Sequence, residues 1–238
     1  MARRADKKSA ARVVRAQMAA ERRRKRTMWT SIAAVAVLVI AGLIGWGVYE
    51  SQRSDAGPLV IPASATATTG ETIGSGPVTI SLYEDFICPH CRDFEAQTGS
   101  TIDGLVSAGK VKVVYNTVAF LDPASTTQYS TRSAAAAACA ADGGKFKEYH
   151  DALFAQQPAE GSAGLSNDQL ISIGTGLGLP NDSFSQCVNS GKFKPWVNSV
   201  TDAASSNGVS GTPTVMVNNQ VVANPTPDAI TAAVNAAG

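Results

Sequence analysis

Histidine is almost missing from this chain, with two residues in 238, and cysteine is sparse, with four. There is a single Cys-x-x-Cys and no His-x-x-x-His, so the paired ligand sets of a structural zinc site are lacking and no metal is expected. Charge is scarce too: 16% of residues are charged against 44% hydrophobic, the balance of a globular chain with a core rather than of a disordered one. No internal repeat is visible.

The charge that exists is unevenly placed. Residues 1–26 hold eleven of the Lys and Arg residues and two acids, a net of +9, and the remainder carries −8. Between arm and body, Met28 to Tyr49 is 22 residues without a charge, with Trp29, Trp46 and Tyr49 near its ends. A helix needs about 20 apolar residues to cross roughly 30 Å of hydrocarbon, and amphipathic rings favour its borders. Basic residues stay on the cytoplasmic side, so residues 50–238 are expected outside. A cleaved signal peptide is disfavoured by the length of the run, the length of the arm and the poor cleavage site at Val48-Tyr49-Glu50. Topology and lipid contact explain Arg22 to Arg26 more simply than nucleic-acid binding, so no nucleic-acid partner is expected.

The expected organisation is therefore a basic cytoplasmic arm over residues 1–27, a transmembrane anchor over 28–49, a flexible linker over 50–76 and a folded domain over 77–238. The linker is rich in Ser, Ala, Thr, Gly and Pro. Within it Leu59-Val60-Ile61 is an apolar island that can dock on the body as an extra strand. Val78 to Tyr83 reads as a strand, followed by Cys88-Pro89-His90-Cys91 and a helix ending at Gly109, with Gly99 and Gly104 as candidate kinks. Val111 to Asn116 is the next strand, completing a βαβ unit. Residues 122–206 read as helical. Phe146, Tyr149, His150, Leu153 and Phe154 fall on one helical face, where core packing is the default for all five, His150 included. Thr214–Asn218 and Val221–Ala223 form a hairpin, and Thr226-Pro227 opens a last helix.

Cys-x-x-Cys in a βαβ setting is a specific redox signal. A helix N-terminus offers free N–H groups and partial positive charge, both of which stabilise a thiolate at Cys88. Pro89 suits the first helical turn, where its missing N–H costs nothing, and His90 is placed to stabilise the thiolate further. A more stable thiolate makes the disulfide more oxidising; about 1.4 kcal/mol corresponds to roughly 30 mV for this two-electron couple.

Phe86-x-Cys88-Pro89-His90-Cys91, the helical insertion and the late Thr212-Pro213 together resemble the DsbA family of disulfide oxidoreductases, over about residues 76–237. The stretch Tyr83 to Cys91 is most similar to the membrane-anchored members of Gram-positive bacteria. The resemblance implies an α/β, thioredoxin-like fold with an inserted helical domain, preceded by one transmembrane helix. It implies that Cys88 exchanges with substrate, that Cys91 resolves, and that a cis Pro213 faces the disulfide while Thr212 offers its backbone to an extended client. Several relatives carry a buried acid six positions before the first cysteine, where this chain has Leu82; Glu84 and Asp85 are the nearby substitutes. Thr212 stands where oxidases often carry valine and isomerases carry threonine, so oxidase and isomerase both stay open.

Cys139 and Cys187 lie in separate helices of the insertion. Outside the cytoplasm unpaired thiols rarely persist, so a structural Cys139–Cys187 disulfide is expected, ahead of a regulatory redox pair. The resulting expectation is an extracytoplasmic thiol–disulfide oxidoreductase acting on unfolded exported proteins with free thiols. The resemblance implies reoxidation by a membrane protein of the DsbB or vitamin K epoxide reductase type, with no cofactor in this chain. No dimerisation module is visible, and a monomer is expected. The alternatives are an isomerase or reductase on the same scaffold, or a peptide-binding holdase without redox turnover.

Overall fold

The computed structural model describes residues 57–238. The basic arm and the apolar run Met28–Tyr49 lie outside the described residues. Among the described residues no helix is long and apolar enough to cross a membrane.

Five strands form one mixed sheet: β1 (Glu71–Gly74), β2 (Val78–Glu84), β3 (Val111–Thr117), β4 (Thr214–Val217) and β5 (Gln220–Val221), in the order β1-β3-β2-β4-β5. β2 and β3 run parallel, with Ile80 opposite Val113 and Leu82 opposite Tyr115. β4 pairs antiparallel with the other side of β2, setting Ile80 against Val217. The period of two puts Val78, Ile80, Leu82 and Glu84 on one fully covered face of β2. The central strand thus ends in a buried carboxylate where the pattern calls for an apolar side chain.

α1 (Pro89–Ser107) is the crossover from β2 to β3. It runs unbroken through Gly99 and Gly104, and Gly109 turns the chain at φ 66°. A single 3-10 turn at Asp122–Ala124 leads into the helical insertion: α2 (Tyr129–Asp142), α3 (Phe146–Ala155), α4 (Asn167–Gly176), α5 (Asn181–Ser190) and α6 (Lys194–Ser206). The alanine-rich centre of α2 is buried from Ser133 to Ala140, where small side chains let neighbouring helices come close. Ser166 and Gln169 form a reciprocal cap at the start of α4. α7 (Pro227–Ala237) begins at Thr226, whose hydroxyl accepts from Ala229 N. All five residues assigned to the α3 face are buried.

The sheet starts earlier than the sequence pattern placed it. β1 lies inside the stretch read as a linker, pairs antiparallel with β3, and sets Glu71 opposite Tyr115. Glu71 is fully buried, and burial pushes its carboxyl up to about 7. Leu59-Val60-Ile61 forms no strand: Leu59 and Ile61 are exposed, while Val60 rests partly buried against the core. Trp196 and Phe86 are packing residues. Trp196 is fully buried and donates its indole N–H to Thr66 O at 2.8 Å, and Phe86 packs on Phe154 and His150.

Candidate active site

Cys88 is the N-cap of α1 and Pro89 its first residue. The turn that presents them is fixed by Asp85. Its carbonyl accepts from Cys88 N at 3.0 Å. Its buried carboxylate accepts from Ile87 N at 3.1 Å, Leu121 N at 2.9 Å and the Ser130 hydroxyl at 2.7 Å. One acid so ties the cysteine turn to the loop after β3 and to α2. Burial outweighs these hydrogen bonds and pushes Asp85 up to about 6. From α3's end, Gln157 donates its side-chain amide to Phe86 O at 3.1 Å and Cys88 O at 2.9 Å. The pattern of the sequence gave Gln157 no role, because the chain reaches it 69 residues after Cys88.

Cys88 and Cys91 are both free thiols, buried by neighbouring chain. Their environments push them apart. Hydrogen bonding from the Cys91 thiol, then from the Thr212 side chain and the backbone N–H groups of Cys91 and His90, outweighs desolvation and holds Cys88 down at about 5. Burial pushes the Cys91 thiol far up, and the thiolate at Cys88 and the carboxylate of Glu84 add to it. The first sulfur is thus an anion at neutral pH and the second a retained proton. His90 is exposed on the first turn; the contribution that its position guarantees is its backbone N–H.

The Thr212–Pro213 bond is cis and immediately precedes β4. That loop faces the cysteines: Cys88 Sγ lies 3.5 Å from the Thr212 carbonyl oxygen, to which it can donate only when protonated. Six residues singled out in the sequence, Cys88, Pro89, His90, Cys91, Thr212 and Pro213, are therefore gathered at one end of the sheet, from segments 124 residues apart. The other two lie elsewhere. Cys139 of α2 and Cys187 of α5 form a disulfide, with Cα atoms 6.0 Å apart, within the helical insertion.

Behind Cys91 lies a cluster that the spacing of the sequence concealed. His150 is fully buried between Glu84 and Asp151, its Nε2 3.2 Å from Glu84 Oε2 and its Nδ1 3.1 Å from Asp151 Oδ1. Burial opposes a charge on the ring, but the hydrogen bonds to Asp151 and Glu84 win and hold His150 up at about 9. Both acids proposed as stand-ins for the residue at Leu82 are buried, yet in different roles: Glu84 stands behind Cys91 and Asp85 braces the turn.

A thioredoxin-like sheet, a dithiol at a helix N-terminus and a cis-proline loop over it define a thiol–disulfide exchange protein. The family model described as thioredoxin matches residues 66–236. Oxidised DsbA of Mycobacterium tuberculosis superposes with a TM-score of 0.61 at 36% identity, covering 69% of this chain and 90% of that one. The probable disulfide bond formation protein D of Bacillus cereus is 25% identical over 205 residues, 84% of this chain and 91% of that protein. The serine/threonine-protein kinase PknE of Mycobacterium tuberculosis is 34% identical over 131 residues, but the chain spans only 23% of that curated relative's length. The chain belongs to the thioredoxin family, among its DsbA-like thiol–disulfide oxidoreductases.

Proposed function

We propose that this chain is an extracytoplasmic, membrane-anchored dithiol oxidase that places disulfides in exported proteins. The observation that carries the reading is the split between the two thiols, with Cys88 held at about 5 and Cys91 kept protonated by burial. A stable Cys88 thiolate is a good leaving group and stabilises the reduced enzyme, so its disulfide readily takes electrons.

The exchange runs as two displacements. A client thiolate attacks Cys88 Sγ in the Cys88–Cys91 disulfide. The S–S bond breaks, and Cys91 leaves as a thiolate that takes up a proton. A second client thiolate then attacks the client sulfur of the mixed disulfide, and Cys88 leaves as a thiolate. The client has lost two electrons and two thiol protons, and the enzyme holds the dithiol. The Thr212 carbonyl beside Cys88 offers an extended client a backbone acceptor, in the manner of strand addition. Pro89 starts the helix whose N–H groups hold the thiolate, and His90 supplies one of them.

A membrane partner must remove the two electrons, and a quinone-linked protein of the DsbB or vitamin K epoxide reductase type suits that chemistry. The apolar run Met28–Tyr49 would hold both in one membrane, with the arm of residues 1–27 cytoplasmic. A second reading, disulfide isomerase, draws on Thr212 at the position before the cis proline. The test is oxidation of a reduced, unfolded multi-thiol protein by the oxidised full chain, followed by mass. An oxidase converts client thiols stoichiometrically, and Cys88→Ser abolishes the reaction. Efficient reshuffling of a scrambled client by the reduced chain, with poor net oxidation, would reassign it as an isomerase.

A further inference from the structure

Glu84, Glu95 and His150 come from β2, α1 and α3, yet each presents a ligand atom to the same point, all within 4.8 Å of one another. The spacing between Glu84 Oε2 and His150 Nε2, 3.2 Å, is already close to the edge of a metal tetrahedron with bonds of about 2.0–2.2 Å. The direct ion pair does not satisfy the cluster. Glu84 is 2% exposed, and its second oxygen, Oε1, has no hydrogen-bond partner. Glu95 Oε1 is buried without a partner as well. Buried polar atoms left unpaired cost about 1–3 kcal/mol each.

Three further features fit a built site. Asp151 holds His150 Nδ1, so Nε2 becomes the ligating nitrogen once the ion displaces the proton it shares with Glu84; a carboxylate behind a histidine is the usual outer support of a zinc ligand. Gly99 sits mid-helix in α1, where glycine costs about 1 kcal/mol relative to alanine. A Cβ there would stand 3.0 Å from Glu95 Oε2, so the missing side chain gives the carboxylate its room. A crevice of about 400 Å³ between α1 and α3 is lined by Glu95 and Asp151 and gives a path from solvent. Lys147, also on its wall, is tied to Asp103 and Asp151, so its charge is already matched.

We propose that Glu84, Glu95 and His150 form a binding site for one zinc-type divalent cation, with water from the crevice completing its coordination. Two carboxylates and one imidazole are a borderline-hard ligand set suited to Zn2+, and three protein ligands leave one position open. An ion here would put positive charge where Glu84 now puts negative charge on Cys91, linking occupancy to the dithiol.

The test is calorimetric titration of the full chain with Zn2+, with Cys88–Cys91 oxidised so that no thiol of that pair competes. One equivalent should bind, and Glu95→Gln and Glu84→Gln should each weaken it by at least about tenfold. Circular dichroism confirms that each variant is folded. X-ray absorption of the zinc-loaded wild type needs no variant and should give an oxygen and nitrogen shell with imidazole and no sulfur. Absence of binding, wild-type affinity in either folded variant, or sulfur in the shell would overturn the site.

Discussion

Replacing Cys91 with alanine removes the strongest single donor to the Cys88 thiolate. A hydrogen bond to a charged group contributes about 1.5–3 kcal/mol. One pKa unit is about 1.4 kcal/mol, so the loss amounts to roughly one to two units. Cys88 should rise from about 5 in the wild type to roughly 6–7 in Cys91→Ala. Serine keeps a donor in the same place, so Cys91→Ser should stay nearer the wild type. Each variant has one titrating thiol at the site, and the ultraviolet absorbance of the thiolate against pH gives its midpoint directly. The alkylation rate at neutral pH should fall in alanine and not in serine, following the thiolate fraction. An alanine variant that still titrates near the wild-type midpoint would refute the reasoning and leave the helix N–H groups as the cause.

Other consequences follow from the same geometry. Cys88 is depressed in the fold from 9.0 to about 5, so its contribution to the reduced form is fully present above the unfolded value and lost as pH falls through 5. Urea unfolding should show the reduced form gaining on the oxidised form between pH 5 and 9; a gap that does not change with pH contradicts the low Cys88 value. Gln157→Leu deprives Phe86 O and Cys88 O of a donor, and should cost about 1–3 kcal/mol in urea unfolding. Unchanged stability in that variant would mean that water replaces the amide. Converting Cys139 and Cys187 together to alanine opens a loop of 48 residues and should cost about 4 kcal/mol on a chain-entropy basis. The Cys88 midpoint should stay where it is, and a shift would make that pair part of the redox device rather than a staple.

What could be read in the sequence was local. The motif Cys88 to Cys91 names its own chemistry, and Pro89 marks the helix start. The period of α3 put its buried face in view. β1 escaped because it is a four-residue edge strand of Glu, Thr, Ile and Gly, set among linker-like residues and led by a buried acid. Pairing with β3 rather than intrinsic propensity makes it a strand. His150 looked like one more member of an apolar face, because its partner Glu84 stands 66 residues earlier on another element. Gln157 carries no motif at all; only the fold brings its amide to the cysteine turn. Gly99 read only as a candidate kink, and the room it leaves for Glu95, 3.0 Å from where a Cβ would stand, has no signal in the sequence.

The central claim, that the Cys88 thiolate drives an oxidising dithiol, is tested most directly by the redox equilibrium of the full chain against graded glutathione. Cys139 and Cys187 would be tracked separately by mass. The account predicts a potential well above that of the glutathione pair, roughly between −180 and −120 mV, the range of disulfide isomerase and DsbA. A value near the thioredoxin potential, about −270 mV, would contradict it and make the chain a reductase.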